Sequence, residues 1–195
     1  MARSLLEETA NIESAPPLAL YDYAMVLEEE QEYRESIKYL EKAFEKSDDH
    51  HIVHSLGRLY QKVKNYRTAI KFYELAMNGV SNPLPIMHNI ADCYHFLNEY
   101  NECVRVTCAT VHINPKDKIS WENFRYSLVK LGKRDASNKF IGFLRKLESN
   151  SAISEKDIES ITTIMNDVVI NEFGNEFLDT IKTLQDHVNS IVSED

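Results

Sequence analysis

Apolar residues recur along most of the chain at intervals of three and four, the spacing that lines one face of a helix. Around the middle of the first half, Leu56, Leu59 and Tyr60 precede a polar turn at Lys64-Asn65, and Ala69, Ile70, Phe72, Tyr73 and Ala76 follow it. That stretch reads as two amphipathic helices joined by a tight turn. The unit then repeats. Tyr33, Tyr66 and Tyr100 are separated by 33 and 34 residues, and Ala24, Gly57 and Ala91 keep the same spacings. So do Leu27, Tyr60 and Tyr94, from which a further interval of 34 reaches Leu128; Ala43 and Ala76 are again 33 apart. Several independent columns with one period predict a stack of like units.

The pattern places helices at about 17–30, 33–46, 50–63, 66–79, 84–97, 100–113, 117–130 and 134–148. Ala24, Gly57 and Ala91 fall midway along the first helix of each pair, where a small residue lets the second helix approach. Ser36, Ala69 and Cys103 serve the same purpose on the second helix. Pro16-Pro17 marks the start of the array, since Pro is tolerated in a first turn. Asn82-Pro83-Leu84-Pro85 and Asn114-Pro115 punctuate later junctions.

Outside the array the pattern changes. Residues 1–15 have room for one turn or short helix. After Asn150 the period stops, and Ser154-Glu155-Lys156-Asp157 has the form of a capping box. Ile158, Ile161, Ile164, Met165, Val168 and Val169 then share one face, Gly174 breaks the helix, and Phe177, Ile181, Leu184, Val188 and Ile191 continue at spacings of four and three. The expected organisation is an N-terminal segment over 1–15, a repeat domain over 16–149 and C-terminal capping helices over 150–195. A repeat array needs its last apolar face covered, so the two C-terminal helices read as a cap. Their seam over 175–192 could alternatively pair with a second copy to make a homodimer.

Composition narrows the function classes. The chain has 195 residues and a net charge of −9. An acidic protein is repelled by phosphate backbones and anionic bilayers, so neither nucleic acid nor membrane is an expected partner. No run of about 18 apolar residues is present. The opening Met-Ala-Arg-Ser-Leu-Leu-Glu-Glu turns acidic where a secretory leader would stay apolar. Cys93, Cys103 and Cys108 make an odd set without a CxxC motif. Buried, reduced thiols and a cytoplasmic location are the expectation.

The columns resemble the tetratricopeptide repeat, a helix-turn-helix unit of 34 residues. The second pair carries the resemblance through Leu56-Gly57, Tyr60, Tyr66, Ala69, Tyr73 and Ala76, and the first through Leu20, Ala24, Leu27, Tyr33, Leu40 and Ala43. The third matches at Ile90, Ala91, Tyr94, Tyr100 and Pro115. The fourth has Trp121 and Gly132, but Arg125 takes its small slot and Arg134 its tyrosine slot, so that pair is expected to be splayed or capped by something else. The resemblance implies an all-α fold: a right-handed α-solenoid of four such pairs followed by two C-terminal helices. It also implies a concave groove lined by the first helices. The groove slots fall on Leu18, Tyr21, Met25 and Glu28; on His51, His54, Arg58 and Gln61; on Pro85, His88, Asp92 and His95; and on Ile119, Glu122, Tyr126 and Val129.

The best-known branch of the family grips a C-terminal carboxylate of heat-shock chaperones with Lys, Asn and Arg. Here those slots hold Tyr21, Met25, Ser55, Pro85 and Asn89 in one frame. In the next they hold His54, Arg58, Asn89, Ile119 and Asn123. The full set of cations is missing in both, and a buried carboxylate without them is costly; only Arg58 with Asn89 keeps a weaker clamp. The candidate partner-binding residues are therefore Tyr21, His51, His54, Arg58, His88, Asn89, Asp92, His95, Glu122 and Tyr126. Arg58 is the one permanent cation among the central slots and is expected to be exposed, whereas Glu28-Glu29-Glu30 reads as a solvated helix end. Histidines of ordinary pKa would make this trough more positive between about pH 8 and 6.

No Gly-rich phosphate loop, GxSxG elbow or HExxH signature is present. The expectation is therefore no enzyme, no cofactor and no bound metal. His88, Asp92 and His95 do share a helix face at i, i+4 and i+7, and with His54 they motivate a metal-binding enzyme as a weaker alternative. A non-catalytic adaptor or chaperone holding a segment of a partner protein is the main reading, and a self-associating scaffold is the other alternative.

Overall fold

Each helix of the array ends as its turn chemistry dictates. The computed structural model describes residues 2–12, 14–149 and 151–193, with side chains for all of these except 2, 3, 5, 79 and 190–193. Twelve α-helices are present among the described residues: α1 (Ala2–Ala10), α2 (Pro17–Glu29), α3 (Tyr33–Phe44), α4 (His50–Lys62), α5 (Tyr66–Ala76), α6 (Leu84–Phe96), α7 (Tyr100–Ile113), α8 (Lys118–Lys130), α9 (Arg134–Asn138), α10 (Ile141–Glu148), α11 (Glu155–Phe173) and α12 (Asn175–Ser193). No strand occurs among them. The fold is all-α, built of helix-turn-helix pairs α2/α3, α4/α5, α6/α7 and α8/α9–α10. The chain forms two compact units, 1–80 and 81–195.

All four pairs close their inner turn in one way. Gln31, Lys64, Asn98 and Gly132 have φ of 64°, 64°, 59° and 79°, the left-handed region. The residue after each donates its N–H back to Leu27, Tyr60, Tyr94 and Leu128, at 2.8, 2.8, 2.9 and 2.8 Å. This is a Schellman turn. The apolar column at 27, 60, 94 and 128 is therefore the set of carbonyls on which the turns lock.

In the first unit, α1 packs against α2. Ala10 and Ala15 join Leu20, Tyr23, Ala24 and Leu27 of α2, Ile37, Leu40 and Ala43 of α3, and Ile52, Leu56 and Leu59 of α4 in one buried cluster. The N-terminal segment, read from sequence as one turn or short helix without a partner, thus contributes the covering helix α1; Tyr39 Oη donates to Asn11 at 2.8 Å and Lys46 Nζ to the Ala15 carbonyl at 2.7 Å. The pairs meet at small residues. Ser36 Oγ donates to the Ala24 carbonyl at 2.6 Å. At Gly57, a Cβ would lie 2.7 Å from Tyr73 Cδ1.

In the second unit the fourth pair is closed, not splayed. Ser137 continues the column of Ser36, Ala69 and Cys103, and its Oγ donates to the Arg125 carbonyl at 3.3 Å, as Ser36 does to Ala24. Arg125 Nε in turn donates to Ser137 Oγ at 3.2 Å, so the large residue in the small slot directs its stem aside and still closes the crossing. The predicted helix 134–148 is interrupted. Lys139 and Phe140 donate to Ala136 and Ser137, three residues back. That tighter turn brings fully buried Phe140 to 5.5 Å from Trp121 and 5.1 Å from Phe124, ring centre to ring centre. Burying such a side chain stabilises by roughly 1.5–3 kcal/mol, enough to offset the lost helical bonds.

The capping box at Ser154 forms as predicted: Asp157 N–H donates to Ser154 Oγ at 3.2 Å and Ser154 N–H to Asp157 Oδ2 at 3.1 Å. Ile161, Met165, Val168 and Val169 of α11 join Trp121, Phe124, Phe140, Phe143 and Leu144 in one core. Then α12 turns back and packs along α7 and α11, burying Ile181 and Val188. Ile191, the last of the predicted seam, lies outside the described side chains.

Three substitutions test this packing and its turns. Tyr73 is fully buried and its Oη donates to Gln61 at 2.7 Å, so the ring cannot swing away from a new methyl group. Gly57→Ala should lower stability by about 1–3 kcal/mol in chemical denaturation; an unchanged midpoint would mean that the crossing is not close. Conversely, Lys64 is exposed and holds a left-handed conformation that costs a non-glycine residue about 1 kcal/mol. Lys64→Gly should leave the melting temperature equal or higher, whereas the same change in the exposed middle of a helix, at Lys71, should lower it.

Candidate functional site

The predicted site residues divide between the two units and meet different fates. In the first unit, Tyr21 and Met25 are partly buried against the core. Arg58 is not a free cation. Its Nη1 and Nη2 donate to Glu28 Oε1 and Oε2 at 2.5 and 2.7 Å, a two-pronged pair between α4 and α2. The Glu28 side chain is only 11% exposed and that of Arg58 40%. The solvated helix end expected at Glu28 is therefore half of a structural ion pair. His54 is half-buried, with its ring 5.7 Å from that of Tyr73. Burial holds its pKa below the ordinary value, and Arg58, His51 and His50 add to the shift. His51 is exposed, its ring 3.9 Å from that of His50. The expected gain of positive charge below pH 8 is thus weakened at His54, because a depressed imidazole pKa delays protonation.

In the second unit the histidines tie α6 to α8. His88 Nε2 lies 2.8 Å from Asp117 Oδ2 and 3.2 Å from Ser120 Oγ. Asp117 also caps α8, accepting from Ser120 N–H at 2.8 Å. Two turns on, His95 Nε2 lies 3.0 Å from Ser127 Oγ and 3.0 Å from Cys103 Sγ. The Ser127 hydroxyl donates to the Asn123 carbonyl at 2.8 Å, so its oxygen accepts from His95 Nε2–H. Burial lowers the His95 pKa, with Asp92 opposing and Lys130 adding to the shift.

Between these ties the wall opens. Asp92, His95 and Phe96 of α6 face Glu122, Asn123 and Tyr126 of α8 across a cleft of about 540 Å³. Phe96 is 61% exposed and Tyr126 47%. The His95 and Tyr126 rings meet edge to face at 5.0 Å, and Lys130 Nζ sits 5.1 Å from the Tyr126 ring centre. Asp92 is half-buried; burial raises its pKa, with His95 and His88 opposing. Glu122 is exposed and lies 3.3 Å from Lys118. Asn89 is half-buried on α6 and does not line the cleft. Of the predicted residues, Asp92, His95, Glu122 and Tyr126 are brought together here. Phe96 and Asn123 complete the cleft and were missing from the candidate set. Helical spacing could have found Phe96, four residues after Asp92 on the same face.

The contact of Cys103 with His95 does not make a reactive nucleophile. Cys103 beside His95 has the composition of a nucleophile and its base, but the thiol is fully inaccessible and burial pushes its pKa up to about 12. A protonated, inaccessible thiol cannot attack a substrate. Cys93 is likewise pushed to about 12, and all three cysteines are free and buried, as expected from the sequence. Among the described residues, three metal-ligand side chains converge at Asp49, His50 and His51, within 4.8 Å of one another. Asp49 is occupied there as the cap of α4, accepting from His51 N–H at 2.8 Å. His54, His88, Asp92 and His95 form no such group.

Residues 18–48 match one tetratricopeptide-repeat model and residues 53–84 another. None of the curated proteins matches the chain. Among solved structures, the chain is similar to a crystal structure of MamA, with 13% identity over 76% of this chain and 88% of that one and a TM-score of 0.68. It is similar to MamA from residue 41 onward of Desulfovibrio magneticus RS-1, with 16% identity over 78% and 86% and a TM-score of 0.66. The nearly identical TPR-like repeats of a kinesin light chain from Podospora anserina give 17% identity over 78% and 88%, with a TM-score of 0.63. At these identities the likeness is one of fold.

The Glu28–Arg58 pair makes its own test. Arg58→Glu should cost about 1–2 kcal/mol of stability, between the values for exposed and buried pairs, because it sets two carboxylates together. The swapped double variant Glu28→Arg with Arg58→Glu should recover most of that loss in urea unfolding. Equal stability of wild type and Arg58→Glu would mean that the pair does not hold α2 to α4.

Proposed function

We propose that this tetratricopeptide-repeat protein is a non-catalytic interaction module, and that the α6–α8 cleft holds a segment of a partner protein. The observation that carries this reading is the exposure of two large aromatic side chains, Phe96 and Tyr126, on opposite walls of one cleft. Exposed aromatic rings grouped in a concave setting are a common binding feature, since they bury much area at little conformational cost. The walls are already positioned: the His88 and His95 ties hold α6 and α8 on either side of the opening. A cleft whose walls are fixed before binding loses less entropy when it is filled.

An adaptor or chaperone role is the form of this function we favour. A cytoplasmic setting agrees with the three buried free thiols. No helix among the described residues is long and apolar enough to cross a membrane. Self-association through 175–192 is the weaker reading, because Ile181 and Val188 of that seam are buried within the chain.

A display library of random nine-residue peptides selected on the purified protein tests the proposal. The double variant Phe96→Ser with Tyr126→Ser should stay folded, although it loses the contacts of the Tyr126 ring with His95 and Lys130, and should bind the selected peptides at least tenfold more weakly, about 1.4 kcal/mol. Equal binding by that variant would place the partner surface elsewhere.

A further inference from the structure

The ligand's chemistry can be argued from what the cleft leaves unsatisfied. Asp92 lines the cleft, yet its carboxylate accepts no hydrogen bond and has no ion-pair partner among the described residues. The histidines that act on Asp92 and the lysines of α8 have other contacts. His88 Nε2 is turned to Asp117 and Ser120, and His95 Nε2 to Ser127 and Cys103. Lys118 lies by Glu122 and Glu148, and Lys130 over Tyr126. Across the cleft stands a second carboxylate, Glu122, whose contact with Lys118 at 3.3 Å joins two side chains each nearly half exposed. Such a surface pair is weak and exchanges readily.

Three kinds of occupant can be compared. An acidic segment would meet two carboxylates, and the lysines nearby, Lys118 and Lys130, already lie against Glu122 and the Tyr126 ring. A wholly apolar segment would strip the remaining water from Asp92 and leave its charge unpaired, which is costly. A segment with a cationic side chain would supply the donors that Asp92 lacks. Its hydrocarbon stem would lie on Phe96 and Tyr126, aromatic faces that also attract cations; Lys130 already shows this at Tyr126.

We propose that the α6–α8 cleft selects a peptide segment presenting an arginine or lysine side chain, with Asp92 as its charge partner, Glu122 in support, and Phe96 and Tyr126 as the walls against its stem. This rests on the cleft being the binding surface, and it adds the sign and shape of what binds there. Arginine is favoured over lysine, because its planar group can stack on an aromatic ring and donate to a carboxylate together.

The test uses the full chain and the same displayed nine-residue library, followed by synthetic acetylated and amidated peptides. Arginine or lysine should be enriched at one position beside an apolar residue. Replacing that arginine by citrulline, which keeps the shape and removes the charge, should weaken binding at least tenfold. Asp92→Asn should fold with an unchanged melting temperature, since no bond is lost, and should reduce the arginine-to-citrulline ratio to less than threefold. Peptides that bind in a Phe96- and Tyr126-dependent way without preferring arginine over citrulline would overturn this inference and leave the cleft as the binding surface. An arginine preference untouched by Asp92→Asn would equally overturn it. Peptides indifferent to Phe96 and Tyr126 would overturn the binding surface itself.

Discussion

Two helices of a pair can lie close only where one of them presents almost no side chain at the crossing. At Gly57 the space beyond Cα is filled by the Tyr73 ring, 2.7 Å from where a Cβ would stand. At Ala24 and Arg125 the partner helix offers a serine whose hydroxyl reaches the opposing carbonyl. A crossing repeated at one slot sets the register of each pair, and with it the turn that follows. Within each unit the same relation places the two first helices side by side. Their polar ties accordingly span a little less than one period: Glu28 to Arg58 in the first unit, and His88 to Asp117 and His95 to Ser127 in the second.

The periodic part of this arrangement was legible in the sequence because it is set by residue size. The helix pairs, the buried column at 24, 57 and 91, and the capping box at Ser154 all follow from small, apolar or capping residues at fixed offsets. The fourth pair was less legible. Arg125 in a small slot argues for a splayed pair only if the whole side chain must fit the crossing; its long stem turns aside and hydrogen-bonds Ser137 instead. The interruption at residues 139–140 could not be read either, since a helical period carries Phe140 smoothly along and only the ring packing against Trp121 and Phe124 favours the tighter turn.

Helix α7 shows how the C-terminal extension is used. Eight of its residues, Cys103, Val104 and those from Val106 to Val111, are buried, on every side of the helix. A helix apolar all round is an interior helix, and this one is covered by α6, α8 and α12. Its buried hydroxyls need no outside partner: Thr107 donates to the Cys103 carbonyl at 2.7 Å and Thr110 to that of Thr107 at 2.8 Å. The extension therefore does more than cover the last pair. While α11 closes the core around Trp121, α12 returns to cover α7, and the run from Cys103 to Val111 was the sequence signal for that second cover.

The candidate site was legible as a set of helix faces but not as a set of charges. Spacing alone put His88, Asp92 and His95 on one face, where they do lie. What spacing cannot say is which polar group finds a partner inside the protein. Arg58 finds Glu28, and both histidines find α8, so the groups that looked most available for recognition act in the scaffold. Asp92, between the two histidine ties and one helical turn from each, is left facing the cleft without a donor among the described residues. Fixing α6 against α8 from both sides is what prevents either imidazole from turning to satisfy it. The same interactions that hold the cleft's walls therefore also leave it with a carboxylate that meets no donor among the described residues, and on the proposed reading it is that charge, more than the number of histidines nearby, that selects the ligand.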